Sequence, residues 1–127
     1  MKVVNRIKAN EDFGLAIKTG RTFRADSFLL HVRKNDLSHT RVGISVSKKM
    51  GNAVIRNLIK RQIRSMCDSH IDYSLLSLDI VLIVRRSFLD KNYEENNNAL
   101  KNILSVISNE NYYFRQRDIT GNSYHHM

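Results

Sequence analysis

The chain has 127 residues, with 21 basic and 12 acidic side chains that give a net charge of +9. This length suits one domain and is short for two, and no apolar run approaches the roughly 20 residues that span a bilayer. The N-terminus lacks the apolar stretch of an export signal, and the lone Cys67 cannot form an internal disulfide. We therefore expect one basic domain, residues 1–127, in the cytoplasm and without membrane contact.

The first half of the chain predicts one helix followed by three strands. Asn10 is predicted to cap the helix and Gly20 to end it. On the third strand, alternation points Val42, Ile44 and Val46 to the core and leaves small residues on the opposite face. The predicted elements are a helix at about 11–19 and strands at 21–24, 27–33 and 41–47.

The second half predicts a long helix, a buried strand and a final helix. Gly51 supplies backbone freedom, and Asn52 caps a helix that runs to about His70. A nearly continuous apolar run at 79–86 is typical of a strand buried on both faces, which belongs at the centre of a sheet. Asn92 with Glu95 resembles a capping box, and the apolar stripe after it predicts a helix. We expect an ordered core at about 5–108 and a C-terminal tail at 109–127.

The positive charge is concentrated between Arg41 and Arg64, where there are seven basic and no acidic residues. Removing these seven leaves 14 basic against 12 acidic residues, an excess of only +2. A focused excess of this kind is typical of a surface that binds a polyanion.

Helical spacing divides the long helix into two halves. A solvated basic face usually carries acidic partners at i±4, and this one carries none, so we favour a nucleic-acid surface. The apolar half, predicted to face the core, consists of Val54, Ile55, Leu58, Ile59, Ile63 and Met66. The opposite half consists of Arg56, Asn57, Lys60, Arg61 and Arg64.

Residues suited to catalysis are not apparent in the sequence. The acidic residues are scattered, the histidines lack a metal-ligand pattern, and there is no glycine-rich phosphate loop. We therefore predict no catalytic residues and no metal ligands in this chain.

Three short runs between residues 41 and 64 resemble the signature sequence of the bacterial ribonuclease P protein subunit. The resemblance rests on RVGISVSKK at 41–49, GNAV at 51–54 and RN-x-x-KR-x-x-R at 56–64, and it extends over roughly 5–108. It implies a small RNA-binding protein that assists a catalytic RNA in removing the 5′ leader from precursor tRNA. The RNA would perform the hydrolysis with Mg²⁺, and the protein would act as a monomer in a one-protein, one-RNA complex.

The resemblance also implies a fold and two binding surfaces. The implied fold is α+β, a two-layer αβββαβα sandwich with a left-handed βαβ crossover, as in the ribosomal protein S5 domain 2-like fold. The ribozyme RNA would be bound by Lys48, Lys49, Arg56, Asn57, Lys60, Arg61 and Arg64. The single-stranded leader would be bound by Phe13, Ile17, Leu29, His31, Asn57 and Lys60.

Two alternatives belong to other classes of protein. A ribosomal or general RNA-binding module would share the charge and the size, but it would not need the ordered signature. A stand-alone nuclease would need a carboxylate site, which the sequence does not offer.

Overall fold

A computed structural model describes the backbone of residues 1–120 and the side chains of residues 1–110. The described residues form three α-helices and one four-stranded sheet, which confirms the predicted α+β class and the αβββαβα order. The elements are α1 (Asn10–Thr19), β1 (Arg21–Arg24), β2 (Phe28–Lys34), β3 (Arg41–Ser45), α2 (Ala53–His70), β4 (Leu78–Val84) and α3 (Tyr93–Thr120). Short 3-10 turns occur at Val3–Asn5, Lys48–Met50 and Arg86–Asp90.

Local side-chain chemistry begins two of the three helices as predicted. The Asn52 side chain accepts a hydrogen bond of 3.0 Å from the backbone N–H of Ile55 and caps α2. At α3, Asn92 accepts from the N–H of Glu95 at 2.8 Å while the Glu95 side chain accepts from the N–H of Asn92 at 3.0 Å, a reciprocal capping box. Gly51 has φ of 150°, a conformation that side chains rarely adopt.

The predicted cap of α1 is wrong. Ala9 occupies the N-cap position without a side-chain hydrogen bond, and Asn10 is already helical. The carbonyl of Ala9 accepts from the N–H groups of Asp12 and Phe13, so the helical hydrogen bonds begin one residue earlier than predicted. Gly20 ends the helix as expected, donating its N–H to the Ala16 carbonyl at 2.9 Å.

The sheet has the strand order β1-β2-β4-β3. Strand β4 is central, as its continuous apolar sequence predicted, and is antiparallel to β2 and parallel to β3. Helix α2 therefore makes the crossover between two parallel neighbours, while the hand of that crossover stays a prediction. Strand β3 ends at Ser45, two residues early, because Ser47 caps the following turn by accepting from the N–H of Lys49.

Helices cover the two faces of the sheet unequally. Helices α2 and α3 pack on one face and bury the main core, whereas α1 packs across part of the other face over Val81. The main core includes Phe28, Leu30, Val42, Ile59, Ile63, Ile80, Leu82, Leu100 and Leu104. The two faces therefore offer different surfaces to a ligand.

Helix α3 extends to Thr120, past the predicted core boundary at 108. Within the part of the chain that the structure describes, no helix is long and apolar enough to cross a bilayer. The rest of the predicted tail, 121–127, lies outside the described residues, and the domain boundaries stay a prediction.

Candidate nucleic-acid interface

Helix α2 buries fewer of its apolar residues than its sequence predicts, and the buried ones form a row that we call the seam. Ile59, Ile63, Met66 and Cys67 are buried in the main core, with Ile59 the first buried residue of the helix. The apolar residues before it are exposed, with 76% for Val54, 42% for Ile55 and 48% for Leu58. The prediction that these three face the core is therefore wrong: helical spacing identifies a face, but not which length of the helix has a sheet beneath it.

The cations of α2 also lie differently from their predicted outward positions. Arg56, Lys60 and Arg64 are half-buried along one flank of the seam, while Asn57 and Arg61 are exposed. Arg56 donates from Nε to the Gly51 carbonyl at 3.1 Å, which fixes it against the turn before the helix.

Within residues 1–110, no carboxylate lies within ion-pairing distance of the α2 cations, Lys48 or Lys49. Lys48 and Lys49 are exposed on the turn that leads into the helix. These positive charges are thus available to an external anion, as RNA phosphates would require.

Arg41 is different, although it belongs to the same basic stretch of sequence. Its Nε lies 2.9 Å from Oδ1 of Asp79 and its Nη2 lies 2.6 Å from Oδ2, a bidentate pair. The Asp79 side chain is only 1% exposed, and Asp12 approaches Arg41 at 3.4 Å from a second side. These partners raise the pKa of Arg41. Of the seven basic residues of this stretch, Arg41 stabilises the fold, and the six others are those that the family resemblance predicts to bind RNA.

Four of the predicted leader residues lie on α1 or on the sheet face that α1 partly covers. An ideal Cβ at Gly43 would lie 2.5 Å from Cζ of Phe13, so the Phe13 ring rests directly on β3. Leu29 is half-buried, and Ile17 is 45% exposed. The face that the sequence predicted to be open at Gly43 is therefore filled by Phe13.

His31 contributes little surface, because it is only 9% exposed. Its Nδ1 lies 3.1 Å from Oγ1 of Thr22 on the neighbouring strand. Burial lowers the pKa of His31, and the positive charge of Arg24 lowers it further. A neutral imidazole in this position fills the sheet face.

The other two predicted leader residues, Asn57 and Lys60, lie on α2, across the sheet from α1. Helix α2 packs with Leu30 and Val42, whose side chains point away from the α1 face. Edge strand β3 contacts the helices on both faces of the sheet, because Phe13 of α1 rests on Gly43 and α2 packs against the strand from the other face. A ligand that touches all six predicted residues would have to pass around this edge.

Sequence reasoning predicted Leu29 but missed Ile83, its neighbour in a strip that runs beside α1. The strand register places Arg24, Leu29, Ile83 and Ser45 in one row across all four strands. Ile83 is half-buried and Ser45 is exposed, so α1 leaves this row partly open. The continuous apolar run of β4 hid Ile83, because such a run carries no alternation to mark an accessible position.

A metal site built from side chains needs several His, Cys, Asp or Glu residues close together. Within the part of the chain that the structure describes, no three of these side chains come together. Burial raises the pKa of the Cys67 thiol to about 12, so this cysteine stays protonated at neutral pH.

Comparison with known proteins places this geometry in a family. The family model for ribonuclease P matches residues 1–108. A ribonuclease P protein component from Staphylococcus epidermidis is 41% identical over 107 residues, covering 84% of this chain and 92% of that protein. One from Lachnoclostridium phytofermentans is 40% identical over 100 residues, covering 79% and 86%.

Solved structures agree with the sequence comparison. The ribonuclease P protein of Staphylococcus aureus is 39% identical and superimposes with a TM-score of 0.72, covering 81% of this chain and 94% of that one. The protein from Thermotoga maritima is 30% identical with a TM-score of 0.67, covering 78% and 94%. With the signature segment, the cation-bearing helix and the strand order all in place, the chain belongs to the ribonuclease P protein family.

Proposed function

We propose that this protein binds the catalytic RNA of ribonuclease P and the 5′ leader of precursor tRNA, and so assists removal of that leader. The observation that carries the proposal is the set of cations on α2 and its leading turn. None of them has a carboxylate partner among the described residues, and they lie within the segment that matches the family.

The ribozyme RNA would meet the exposed cations first. Lys48, Lys49 and Arg61 project from the turn and the helix without ion pairs among residues 1–110. Half-buried Arg56 and Lys60 lie beside them, where their positions are restricted and less side-chain entropy would be lost on binding. Phosphate contacts of this kind position a protein on RNA without reading its sequence.

The single-stranded leader would lie over the α1 side of the sheet. Ile17, Leu29 and Ile83 offer apolar surface there, and Ser45 is small enough to let a sugar-phosphate backbone approach. Asn57 and Lys60 would reach the same strand only around the β3 edge. The leader would therefore wrap this edge, passing from the apolar strip to the cations of α2.

The chemistry itself is assigned to the RNA. Hydrolysis of a phosphodiester by a bound Mg²⁺ needs oxygen ligands that converge on the ion, and the acidic side chains in the described region do not converge. We propose that Mg²⁺ is held by the RNA, and that one protein monomer joins one RNA in the cytoplasm.

Reconstitution with a ribozyme RNA and a precursor tRNA at low Mg²⁺ tests the proposal. Wild-type protein should raise cleavage, and replacing Lys48, Lys49 and Arg61 with Ala should reduce this effect. The slope of log affinity against log salt should become shallower by about 0.7–0.9 for each lost phosphate contact.

The matched control removes three exposed lysines elsewhere, Lys8, Lys18 and Lys101. This variant loses the same charge, so it should keep cleavage and most of the salt slope. Failure of wild-type protein to raise cleavage would favour a general RNA-binding module, and cleavage by the protein without ribozyme RNA would favour a nuclease.

A further inference from the structure

The strip beside α1 ends on an arginine at the outer edge of the sheet. It consists of one residue from each strand, namely Arg24, Leu29, Ile83 and Ser45. Neighbouring strands lie about 4.8 Å apart, which makes the strip about 14 Å long. Ser45 lies at the β3 edge, where the proposed path of the leader turns toward α2, and Arg24 lies at the β1 edge. The β1 end of the strip has no role in that path so far.

Three observations place the Arg24 side chain on the α1 face of the sheet. Oγ1 of Thr22, two residues earlier on β1, lies 3.1 Å from Nδ1 of His31 on that face. Phe23 is buried in the main core on the opposite face. Because side chains alternate along a strand, Arg24 shares the face of Thr22. Burial and then the positive charge of Arg24 lower the pKa of His31, which agrees with this position.

Helix α1 forms a wall along the strip. The ring of Phe13 rests on Gly43 of β3, and Ala16 packs with Val81 of β4. The register aligns Gly43 and Val81 with His31 of β2. Helix α1 therefore lies over this row, and the strip is the next row on the same face, two residues along each strand. An extended ligand could follow the strip against α1 from one edge of the sheet to the other.

The charge of Arg24 is available to an anion. Arg24 is exposed, and within residues 1–110 it forms no ion pair with a carboxylate. Arg21 of the same strand points to the opposite face and lies 2.7 Å from Glu110. Strand β1 thus carries one arginine that is engaged within the fold and one that faces the strip.

We propose that Arg24 binds a backbone phosphate of the 5′ leader at the far end of the strip, so that affinity depends on how far the leader extends. This inference rests on the proposed function and adds a residue to it. Unpaired bases would lie on Leu29 and Ile83, whereas phosphates need cations, which flank the strip as Lys60 beyond the β3 edge and Arg24 at the β1 edge. A phosphate contact reads no sequence, so this end of the strip would respond to leader length alone.

Leaders of different length test the proposal in the reconstituted holoenzyme. Precursor tRNAs are shortened from the 5′ end by one nucleotide at a time, with a linkage at the cleavage site that resists hydrolysis, and their dissociation constants are measured. Arg24→Gln should weaken binding of long leaders about fivefold, the upper range for a contact between exposed charges. Below the length at which the leader reaches β1, the variant and the wild type should bind equally.

Two further variants serve as controls. Arg21→Gln removes an equal charge from the same strand on the opposite face, and it should stay within twofold of wild type at every leader length. Arg24→Lys keeps the charge and should restore most of the affinity for long leaders. Equal weakening by Arg21→Gln and Arg24→Gln would indicate diffuse attraction and overturn the proposal, as would a loss with Arg24→Gln that is the same at all leader lengths.

Neutral methylphosphonate linkages locate the contact in the leader. With the neutral linkage at the contacted position, wild type and Arg24→Gln should bind equally, whereas at the neighbouring positions the fivefold difference should persist. A difference that persists at every position would contradict a phosphate contact.

The wild-type measurements separate this proposal from the proposed function. If the wild-type holoenzyme binds precursor and mature tRNA equally, leader binding itself is rejected and the role of Arg24 is rejected with it. If the wild type prefers precursor tRNA and Arg24→Gln matches it at every leader length, the proposed function stands and only the role of Arg24 is overturned.

Discussion

The ring of Phe13 and the backbone of Gly43 meet where α1 crosses the sheet. Gly43 is needed there for space, since its own Cβ would lie 2.5 Å from Cζ of Phe13. Every heavy atom added at this position must therefore displace the ring or the strand. The contact fixes α1 over the sheet and so sets how much of the neighbouring apolar strip stays open.

Replacing Gly43 with Ala should destabilise the protein by about 1–3 kcal/mol, the usual cost of overpacking a filled site. Urea denaturation measures the change. Gly14→Ala is the matched control, because Gly14 is an exposed glycine of α1 with nothing within 4 Å of an added Cβ. That variant should gain about 0.5–1 kcal/mol of helix propensity. If the Gly43→Ala variant were as stable as the wild type, the close contact between Gly43 and the Phe13 ring would be contradicted.

His31 should make stability depend on pH in the mildly acidic range. Its pKa is lowered in the folded protein by burial and by Arg24, so the unfolded chain takes up the proton first as the pH falls. Stability should therefore decrease below about pH 6.5, the ordinary histidine pKa, and level off once the folded imidazole is also protonated.

Denaturation midpoints between pH 5 and 8 test this expectation. His31→Gln should remove this part of the slope, since glutamine does not titrate in that range. Arg24→Gln should reduce the slope without abolishing it, because burial is the larger cause of the shift. A His31→Gln variant whose pH profile matches that of wild type would show that other groups produce the dependence.

At the level of elements, α2 shows that a residue on the apolar side of a helical wheel need not be buried. Its apolar residues from Ile59 onward lie in the core, while Val54 and Leu58 are exposed. Replacing Val54 or Leu58 with Gln should change the free energy of unfolding by less than about 0.5 kcal/mol, as for ordinary surface positions. Ile63→Ala should cost about 2–5 kcal/mol, because it leaves a cavity in the core.

Chemical denaturation of these three variants provides the measurement. The wheel alone predicts losses of similar size at Leu58 and Ile63, whereas the fold predicts a large loss only at Ile63. A loss above 2 kcal/mol for Leu58→Gln would place this residue in the core and contradict the observed seam.

Elements governed by local chemistry were predictable from the sequence. The Asn52 cap, the Asn92–Glu95 capping box and the central position of β4 follow from hydrogen-bonding side chains and from apolar periodicity. Features that depend on distant partners were not. Arg41 belongs to the basic stretch of the sequence, but its pairing with Asp79, 38 positions later, depends on the fold. Arg6 lines a hollow together with Arg61 and Arg64 of α2 because its segment pairs with β3.

For the molecule as a whole, the distribution of charge matches the division into two faces. Cations without carboxylate partners among the described residues collect on α2 and its leading turn. The opposite side carries the apolar strip of Leu29 and Ile83 beside α1. Phosphates favour the first surface and unstacked bases the second. The two surfaces adjoin at the β3 edge and otherwise lie on opposite sides of the sheet, so substitutions on one should leave the other largely intact.

The proposed separation of surfaces can be tested by replacing both Ile17 and Leu29 with Gln. Ile17 is exposed and Leu29 is half-buried, so the double variant should fold. Loss of apolar contact should weaken binding of leader-bearing precursor tRNA to the reconstituted holoenzyme roughly tenfold, in line with about 1.4 kcal/mol of lost burial. Affinity for mature tRNA and for the ribozyme RNA should stay within about twofold. If binding of precursor and mature tRNA weakened equally, the leader would not bind to this face. If binding of the ribozyme RNA also weakened, the two surfaces would not be separate.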